Sequence, residues 1–320
     1  MQNQYLRRDW LRMQLGMGVA AVCAGGFSGC DDSPDIHEPQ AIFGKRGLSD
    51  GKFHKPRAIA VSGSGEIFVV DMTARIQVFD SVGNFLRGWH TPTSEQGRPT
   101  GLSIDRKGRL MVADTHYFRV LFYSPEGVLD ESATIGGTHG TAPGEFGFVT
   151  DVIEDKEGNF YVSEYGVSDR IQKFSPEGIF ICQWGGHGEG PGFFQRPQSM
   201  GIDSQGRIWV SDACNHRLQI FSSQGDKVEL VAVYGGQGKE SGKFQYPYGL
   251  VIDDQDGVWV SEFGGHRIQK LDREGKPVLF WGKPGRLPGE LFNPWAVATL
   301  PDGQLLVVDS GNHRVQRVRL

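Results

Sequence analysis

The fold is decided by the stretch Ser211-Asp212-Ala213-Cys214-Asn215-His216-Arg217-Leu218-Gln219-Ile220-Phe221, because variants of it occur six times. Each copy has an acidic residue, an Arg four to six residues later, and then a short apolar run. The copies lie at residues 70–79, 113–122, 163–174, 211–221, 261–271 and 308–318. A repeat of roughly 40 to 50 residues is typical of the blades of a β-propeller.

Paired glycines mark two turns in each unit. The first set is Gly65, Gly108, Gly158, Gly206, Gly257 and Gly303, and the second is Gly83, Gly127, Gly178, Gly225 and Gly275. Glycine accepts the left-handed backbone that closes a tight hairpin, so we expect two hairpins, and hence four strands, per unit. Residues 41–320 are therefore predicted to form an all-β, six-bladed propeller with four-stranded antiparallel blades.

The sixth unit is one strand short, which indicates how the ring closes. It reaches Leu320 after three strands, whereas Ala41-Ile42-Phe43-Gly44-Lys45 resembles the fourth strand of other units, such as Leu279-Phe280-Trp281-Gly282-Lys283. Closure of the ring removes exposed sheet edges. We therefore expect the N-terminal strand to complete the sixth blade.

The same repeated stretches resemble the signature of NHL repeats. The resemblance is carried by residues 214–219, 265–269 and 311–316, in which a His precedes the Arg. The first three units keep the Arg but have Ala74, Phe118 and Asp169 in place of the His. The resemblance implies a six-bladed propeller over residues 41–320. It implies no single function, since such folds serve as binding platforms, sensors and a few enzymes.

Residues 1–29 are predicted to be an export signal. Arg7 and Arg8 precede an aromatic residue and a Leu, an arrangement that resembles a twin-arginine signal. The sequence Phe27-Ser28-Gly29-Cys30 resembles a bacterial lipobox, which implies a lipid on Cys30, although a plain cleavable signal is the alternative. We expect residues 30–40 to be the lipidated Cys and a tether. The protein would then be exported and lipid-anchored to the bacterial cell membrane, facing the periplasm or the exterior.

Charge and cysteine usage argue against several function classes. The net charge of −5 argues against nucleic acid as a partner, because phosphate binding usually needs a basic surface. The cysteines show no spacing typical of zinc sites, and we expect Cys182 and Cys214 to be separate thiols. The sequence has no Gly-rich phosphate loop, nucleophile elbow or catalytic triad spacing. We expect no cofactor, and a monomer.

Two symmetric sets of polar side chains are of types that can bind metal ions, but we favour a structural role for both. The first set is a ring of acids at Asp71, Asp114, Glu164, Asp212, Glu262 and Asp309, each with an Arg of the same blade to pair with. The second set is His216, His266 and His313, which lie in separate blades and are not expected to converge on one ion. A function that needs one site would not place the same pair in all six blades.

Known propeller enzymes provide the alternative function. Peptide-amidating lyases are NHL-like propellers with zinc in the central channel, and resemblance to them implies His after the Pro that begins some blades. The equivalent residues here are Arg57, Thr100, Thr150, Gln198, Tyr248 and Trp295. Calcium-dependent lactonase propellers use acids and Asn in the channel, where only Asp151 stands out. We assign no catalytic or metal-binding residue, and the sequence leaves open whether the protein is an enzyme; the alternative function is a metal-dependent lyase or lactonase.

One face of the propeller is predicted to bind a partner. The loops that lead into each blade and those after its second strand share this face, and their Arg and aromatic residues vary between blades. These residues are Arg57, Arg98, Tyr117, Tyr165, Arg196, Tyr246, Tyr248, Phe263 and Trp295. Such side chains are typical of recognition hot spots, although several could be buried packing groups. The sequence thus predicts a binding or scaffold protein for an envelope protein, a peptide or a saccharide.

Overall fold

The computed structural model describes residues 38–166 and 168–320. The predicted signal residues Arg7 and Arg8 and the predicted lipid attachment residue Cys30 lie outside these ranges. Within them, six antiparallel four-stranded sheets form the blades of a propeller, which confirms the predicted fold class. None of the helices in these ranges has the length and apolar character needed to cross a membrane.

The elements follow the predicted repeat. Strand β1 is Ala41–Phe43; blade 1 has β2 (Pro56–Val61), β3 (Ile67–Asp71), β4 (Arg75–Phe79) and β5 (Phe85–His90); blade 2 has β6 (Gly101–Ile104), β7 (Leu110–Asp114), β8 (Arg119–Tyr123) and β9 (Ile135–Gly136). Blade 3 has β10 (Phe148–Glu154), β11 (Phe160–Tyr165), β12 (Arg170–Phe174) and β13 (Phe180–Gly185); blade 4 has β14 (Pro197–Ile202), β15 (Ile208–Asp212), β16 (Arg217–Gln224) and β17 (Lys227–Gly235).

Blade 5 has β18 (Pro247–Ile252), β19 (Val258–Glu262), β20 (Arg267–Leu271) and β21 (Pro277–Trp281). A short parallel pair, β22 (Lys283–Pro284) and β23 (Glu290–Leu291), precedes blade 6, which has β24 (Pro294–Thr299), β25 (Leu305–Asp309) and β26 (Arg314–Val318). Single turns of 3-10 helix span Thr115–Tyr117, Glu131–Ala133, Ala213–Asn215 and Ser310–Asn312.

The ring closes as predicted. Strand β1 pairs antiparallel with β26, with Ala41 opposite Arg317 and Phe43 opposite Val315. The Phe43 ring lies 5.1 Å from the Phe79 ring of blade 1, so this strand joins the sixth blade to the first. The innermost strands β2, β6, β10, β14, β18 and β24 contact one another in sequence around the central channel.

The ring of acids is structural, also as predicted. Each acid forms an ion pair with the Arg of its own blade: Asp71 with Arg75, Asp114 with Arg119, Glu164 with Arg170, Asp212 with Arg217, Glu262 with Arg267 and Asp309 with Arg314. Five of the arginines also donate to carbonyl oxygens of the loop that leads into the blade, as Arg217 does to Phe193, and Arg119 donates to the Thr93 hydroxyl of its loop. This pair therefore fastens each lead-in loop to its sheet.

The histidines of the repeat link neighbouring blades. His216, His266 and His313 all have a left-handed backbone, with φ of 55°, 54° and 60°. Their Nδ1 atoms accept hydrogen bonds from the backbone N–H groups of Tyr246, Asn293 and Lys55 in the next blade, at 3.0, 2.9 and 3.0 Å. Burial lowers the pKa of His216, which keeps the ring neutral and able to accept.

Replacing His216 by Ala is expected to destabilise the junction between blades 4 and 5. The substitution removes the acceptor for Tyr246 N–H, at a cost of about 1 kcal/mol, the typical net value of one hydrogen bond. Thermal denaturation of the variant should show a lower Tm. His90→Ala is the matched control, because His90 is exposed on β5; equal losses in the two variants would contradict this role.

One turn departs from the predicted glycine pattern. Ten of the eleven paired glycines have positive φ, but Gly257 does not. In that turn Asp256 has φ of 60° and occupies the place that Gly206 holds in the preceding blade. Its N–H donates to the Asp253 carbonyl, as the N–H of Gly206 does to the Asp203 carbonyl. The left-handed position is thus kept while the residue that fills it has changed.

Candidate functional site

The residues at the start of the innermost strands, with Thr100 directly before β6, lie at one mouth of the central channel. These six residues are Arg57, Thr100, Thr150, Gln198, Tyr248 and Trp295, and the channel below them has a volume of about 300 Å³. The propeller repeat places them at equivalent positions around the axis, so their side chains meet although they are far apart in sequence. Among these six side chains only the two threonines are alike, so the mouth is asymmetric.

Three aromatic rings form the wall of the mouth at blades 5 and 6. The Tyr248 ring stacks on the Phe263 ring with centroids 4.7 Å apart. The Trp295 ring lies edge-on to both, at 5.1 Å from Tyr248 and 5.4 Å from Phe263. Offset and edge-on arrangements are the ones that aromatic pairs prefer. The wall is therefore a platform of mutually packed rings.

Two arginines contact rings of this platform. The Arg57 guanidinium is 4.9 Å from the Trp295 ring centre. The Arg196 guanidinium lies between Tyr165 and Tyr248, at 4.7 and 5.2 Å from their ring centres. Its Nε donates to Gln198 Oε1 at 2.9 Å, which fixes its orientation. Cation–π contacts of this type are strongest where water is excluded.

A third arginine, Arg98, is held by backbone oxygens. Its Nε donates to the Met72 carbonyl and its Nη1 to the Gly97 carbonyl, both at 2.8 Å. His116 Nδ1 accepts from the Arg98 backbone N–H at 3.4 Å, and burial lowers the pKa of this His. Arg98 therefore presents a fixed positive charge beside the channel mouth.

The mouth carries positive charge without a compensating acid. No ion pair joins Arg57, Arg98 or Arg196 to a carboxylate within residues 38–166 and 168–320. Burial lowers the pKa of Arg57, and the charges of Arg196 and Arg98 lower it further. Arginine stays protonated despite such shifts. Burial of the Arg57 charge and its repulsion by Arg196 and Arg98 therefore lower the stability of the folded state.

Two buried donors at the mouth lack acceptors among the described residues. They are Arg57 Nε and Trp295 Nε1, which belong to side chains in direct contact. Buried polar groups in proteins are nearly always hydrogen-bonded. Both groups can only donate, so the mouth is chemically complementary to an acceptor.

The other predicted face residues have separate surroundings. Tyr165 joins the cluster through Arg196. Tyr117 instead lies under Arg119, at 5.3 Å, and its hydroxyl accepts from Gln96 N–H. Tyr246 is 42% exposed and packs edge-on against His216 at 4.4 Å. The structure thus brings seven of the nine residues to the channel mouth and leaves Tyr117 and Tyr246 on the rim.

Some mouth residues were not found from the sequence. His116 and Phe148 pack together at 5.1 Å, and Phe148 contacts Tyr165 at 5.2 Å. His116 lies two residues before the repeated His position, so the repeat gives no signal for it. Phe148 occupies the position of Arg196 in the next blade, so comparison of the lead-in loops could have identified it.

One carboxyl group lies inside the channel. Asp151 follows Thr150 on β10 and accepts hydrogen bonds from the N–H groups of Met200 and Val152, both at 2.9 Å, and from Ser199 Oγ at 3.0 Å. Burial raises the pKa of Asp151 to about 7. The group is therefore poised between its neutral and charged forms near neutral pH.

The residues of the mouth do not fit a zinc ion. Zinc sites in proteins use His, Cys or acidic ligands, and none of the six residues at the start of the innermost strands belongs to these types. Across residues 38–166 and 168–320, no three His, Cys, Asp or Glu side chains form a metal-binding group. A guanidinium such as that of Arg57 would also repel a cation. Cys182 and Cys214 are free thiols, as predicted.

Sequence comparison identifies the repeat. The NHL repeat profile matches residues 194–221, 244–271 and 293–318, so the chain carries NHL repeats. The matched segments contain the three histidines that link blades. Segments of blades 1 to 3, which have Ala74, Phe118 and Asp169 at that position, are not among the matched residues.

Two relatives share part of the chain. Peptidyl-glycine alpha-amidating monooxygenase A of Xenopus laevis is 35% identical over 224 residues, which are 68% of this chain and 23% of that protein. Human NHL repeat-containing protein 3 is 29% identical over 159 residues, which are 47% of this chain and 46% of that protein. The matched part thus spans less than half the length of either relative.

Solved propellers with low sequence identity share the fold. A gluconolactonase from Xanthomonas campestris has a TM-score of 0.63 at 9% identity, covering 89% of this chain and 96% of that one. A virginiamycin B lyase variant from Staphylococcus aureus, with quinupristin, has a TM-score of 0.60 at 16% identity, covering 86% and 84%. Likeness at these identities concerns architecture alone.

Proposed function

We propose that this protein is an extracytoplasmic, membrane-tethered binding protein that recognises its partner at the arginine and aromatic mouth of the channel. The observation that carries the proposal is the contact of Arg57 and Arg196 with Trp295, Tyr165 and Tyr248. Preordered aromatic and Arg side chains lose little entropy on binding, which is why they dominate hot spots. An envelope protein, a peptide or a saccharide is the proposed class of partner.

The proposal is tested by photo-cross-linking with a substituted mouth. A photoreactive amino acid at the rim position Tyr246 should capture the partner in cells that produce the full chain. Arg57→Ala and Trp295→Ala should each reduce capture by about tenfold or more, because losing a hot spot costs roughly 2 kcal/mol. Tm values near wild type would show that both variants fold.

The matched control is a photoreactive residue at Val278, which is exposed on the outer strand β21. Any protein cross-linked from this position should be captured equally by the wild-type chain and by Arg57→Ala. Capture at Tyr246 that is unchanged in both mouth variants would contradict the proposal. Loss of folding in both variants would instead assign Arg57 and Trp295 to packing.

Export and lipid attachment are part of the same proposal. They are supported by the sequence around Arg7, Arg8 and Cys30. A lipid would hold the protein at the membrane, and a single chain attached this way is a reversible anchor unless a second signal assists it. Metabolic labelling with a clickable fatty acid should mark the wild-type protein and leave Cys30→Ser unlabelled. Labelling of both proteins would show that the lipid is attached to another residue.

The second candidate function is a lyase or lactonase that acts in the channel. It is supported by Asp151, whose pKa of about 7 suits a general base at neutral pH, and by the fold shared with enzymes of these classes. Elemental analysis of the dialysed protein, followed by lyase and lactonase assays, tests it. One tightly held metal per chain with turnover that disappears in Asp151→Asn would favour the enzyme over the binding protein.

A further inference from the structure

We propose that the channel mouth binds a carboxylate group carried on an aromatic or apolar body. This inference rests on the proposed binding function and names the chemistry of its ligand. The kind of ligand that the cluster can bind depends on which of its atoms are free to contact that ligand. A ring offers a face for stacking, whereas a guanidinium group offers hydrogen-bond donors.

The ring faces are largely occupied within the protein. Tyr248 has Phe263 stacked at 4.7 Å and Arg196 at 5.2 Å, while Trp295 has Arg57 at 4.9 Å. A saccharide that recognises aromatic residues needs an open ring face to stack on. The cluster presents guanidinium groups supported by rings, so the exposed chemistry is cationic.

The guanidinium groups have free donors. Arg57 donates no side-chain hydrogen bond within the described residues, and its Nε is buried without an acceptor. Arg196 uses only its Nε, on Gln198, which leaves both terminal nitrogens. Arg98 uses Nε and Nη1. Planar donor pairs of this kind match the two oxygens of a carboxylate, and such charge-assisted bonds are about twice as strong as neutral ones.

The remainder of the channel selects what carries the carboxylate. Below the mouth its lining includes the apolar side chains of Val61, Ile104, Ile202 and Ile252. A volume of about 300 Å³ is at the small end of ligand pockets, so it admits one ring or one side chain. A small aromatic acid, or the terminus of a longer chain that ends in one, fits both regions.

A matched set of probes tests the proposal: phenylacetate, phenylacetamide and phenyl phosphate. Isothermal titration of the purified full-length protein should show phenylacetate binding at least about tenfold more tightly than phenylacetamide. Arg57→Gln should reduce that preference to threefold or less, whereas Arg273→Gln, which removes an exposed arginine that pairs with Glu274, should keep it. Arg57→Lys, which keeps the charge without the planar fork, should be intermediate, and it replaces the Gln variant if that one does not fold.

Three results would overturn the carboxylate assignment. These are equal binding of acid and amide, tighter binding of phenyl phosphate than of phenylacetate, and no binding of any probe. If partner capture still depends on Arg57 when the probes fail, the binding function stands and only its ligand class is wrong. If phenylacetate binds as expected but capture ignores Arg57, the partner-binding proposal is wrong and the carboxylate site remains.

Discussion

A chain that lacks residues 40–47 is expected to melt at least about 10 °C below the intact protein. The deletion removes β1, whose pairing with β26 closes the ring. It also removes Phe43, which is buried against Phe79, and loss of a buried Phe side chain alone typically costs 3–5 kcal/mol. For a domain of this size, each kcal/mol lowers Tm by roughly 2–4 °C.

Single substitutions separate the two contributions to closure. Phe43→Ala keeps the strand and should account for the packing loss, whereas Ile42→Ala on the same strand is the control because Ile42 is 38% exposed. Calorimetry should rank the deletion below Phe43→Ala, with Ile42→Ala close to wild type. A deletion variant with an unchanged Tm would show that the ring is stable without β1.

Replacing Arg170 by Ala is expected to destabilise the protein by roughly 3–5 kcal/mol, because it leaves Glu164 as a buried charge without its partner. Glu164 is fully buried and its carboxylate pairs with Arg170 Nε at 2.5 Å. Arg170 also donates to the Glu145 carbonyl at 2.8 Å and to the Thr141 carbonyl at 2.6 Å, so the lead-in loop of blade 3 loses its fastening as well.

The double variant Glu164→Gln with Arg170→Met distinguishes charge from packing. Removing both charges should restore much of the lost free energy of unfolding, since neutral pairs avoid the cost of a buried ion. The exposed pair Arg273–Glu274 is the control, and Arg273→Ala should change stability by less than about 1 kcal/mol. If Arg170→Ala costs no more than this control, the pair does not fasten the loop.

The framework was predictable because it repeats. The acid, the Arg and the turn glycines occur in register, so each copy strengthened the assignment of the others, and the propeller, its closure and the six ion pairs are confirmed. Asp256 shows the limit of this reasoning, because it adopts the left-handed conformation although the next residue, Gly257, was predicted to do so.

The sequence predicted which residues lie on the face around the channel mouth, but it did not predict the contacts between their side chains. The sequence placed Arg57 and Trp295 on one face, yet it could not show that the guanidinium covers the ring or that its Nε has no acceptor. Such contacts join blades that are hundreds of residues apart in sequence, and they depend on rotamers set by packing. Tyr246 and Tyr117 shared the same sequence signal but lie on the rim.

Ring closure also sets the order in which the molecule can be completed. Ala41 pairs with Arg317, so β1, which is made before the strands of the six blades, has no partner until β26 has been made. Until they pair, β1 and the edge of β26 that it covers are both open to pairing with another chain. A chain interrupted before β26 therefore differs from the closed ring by the absence of the β1–β26 pair.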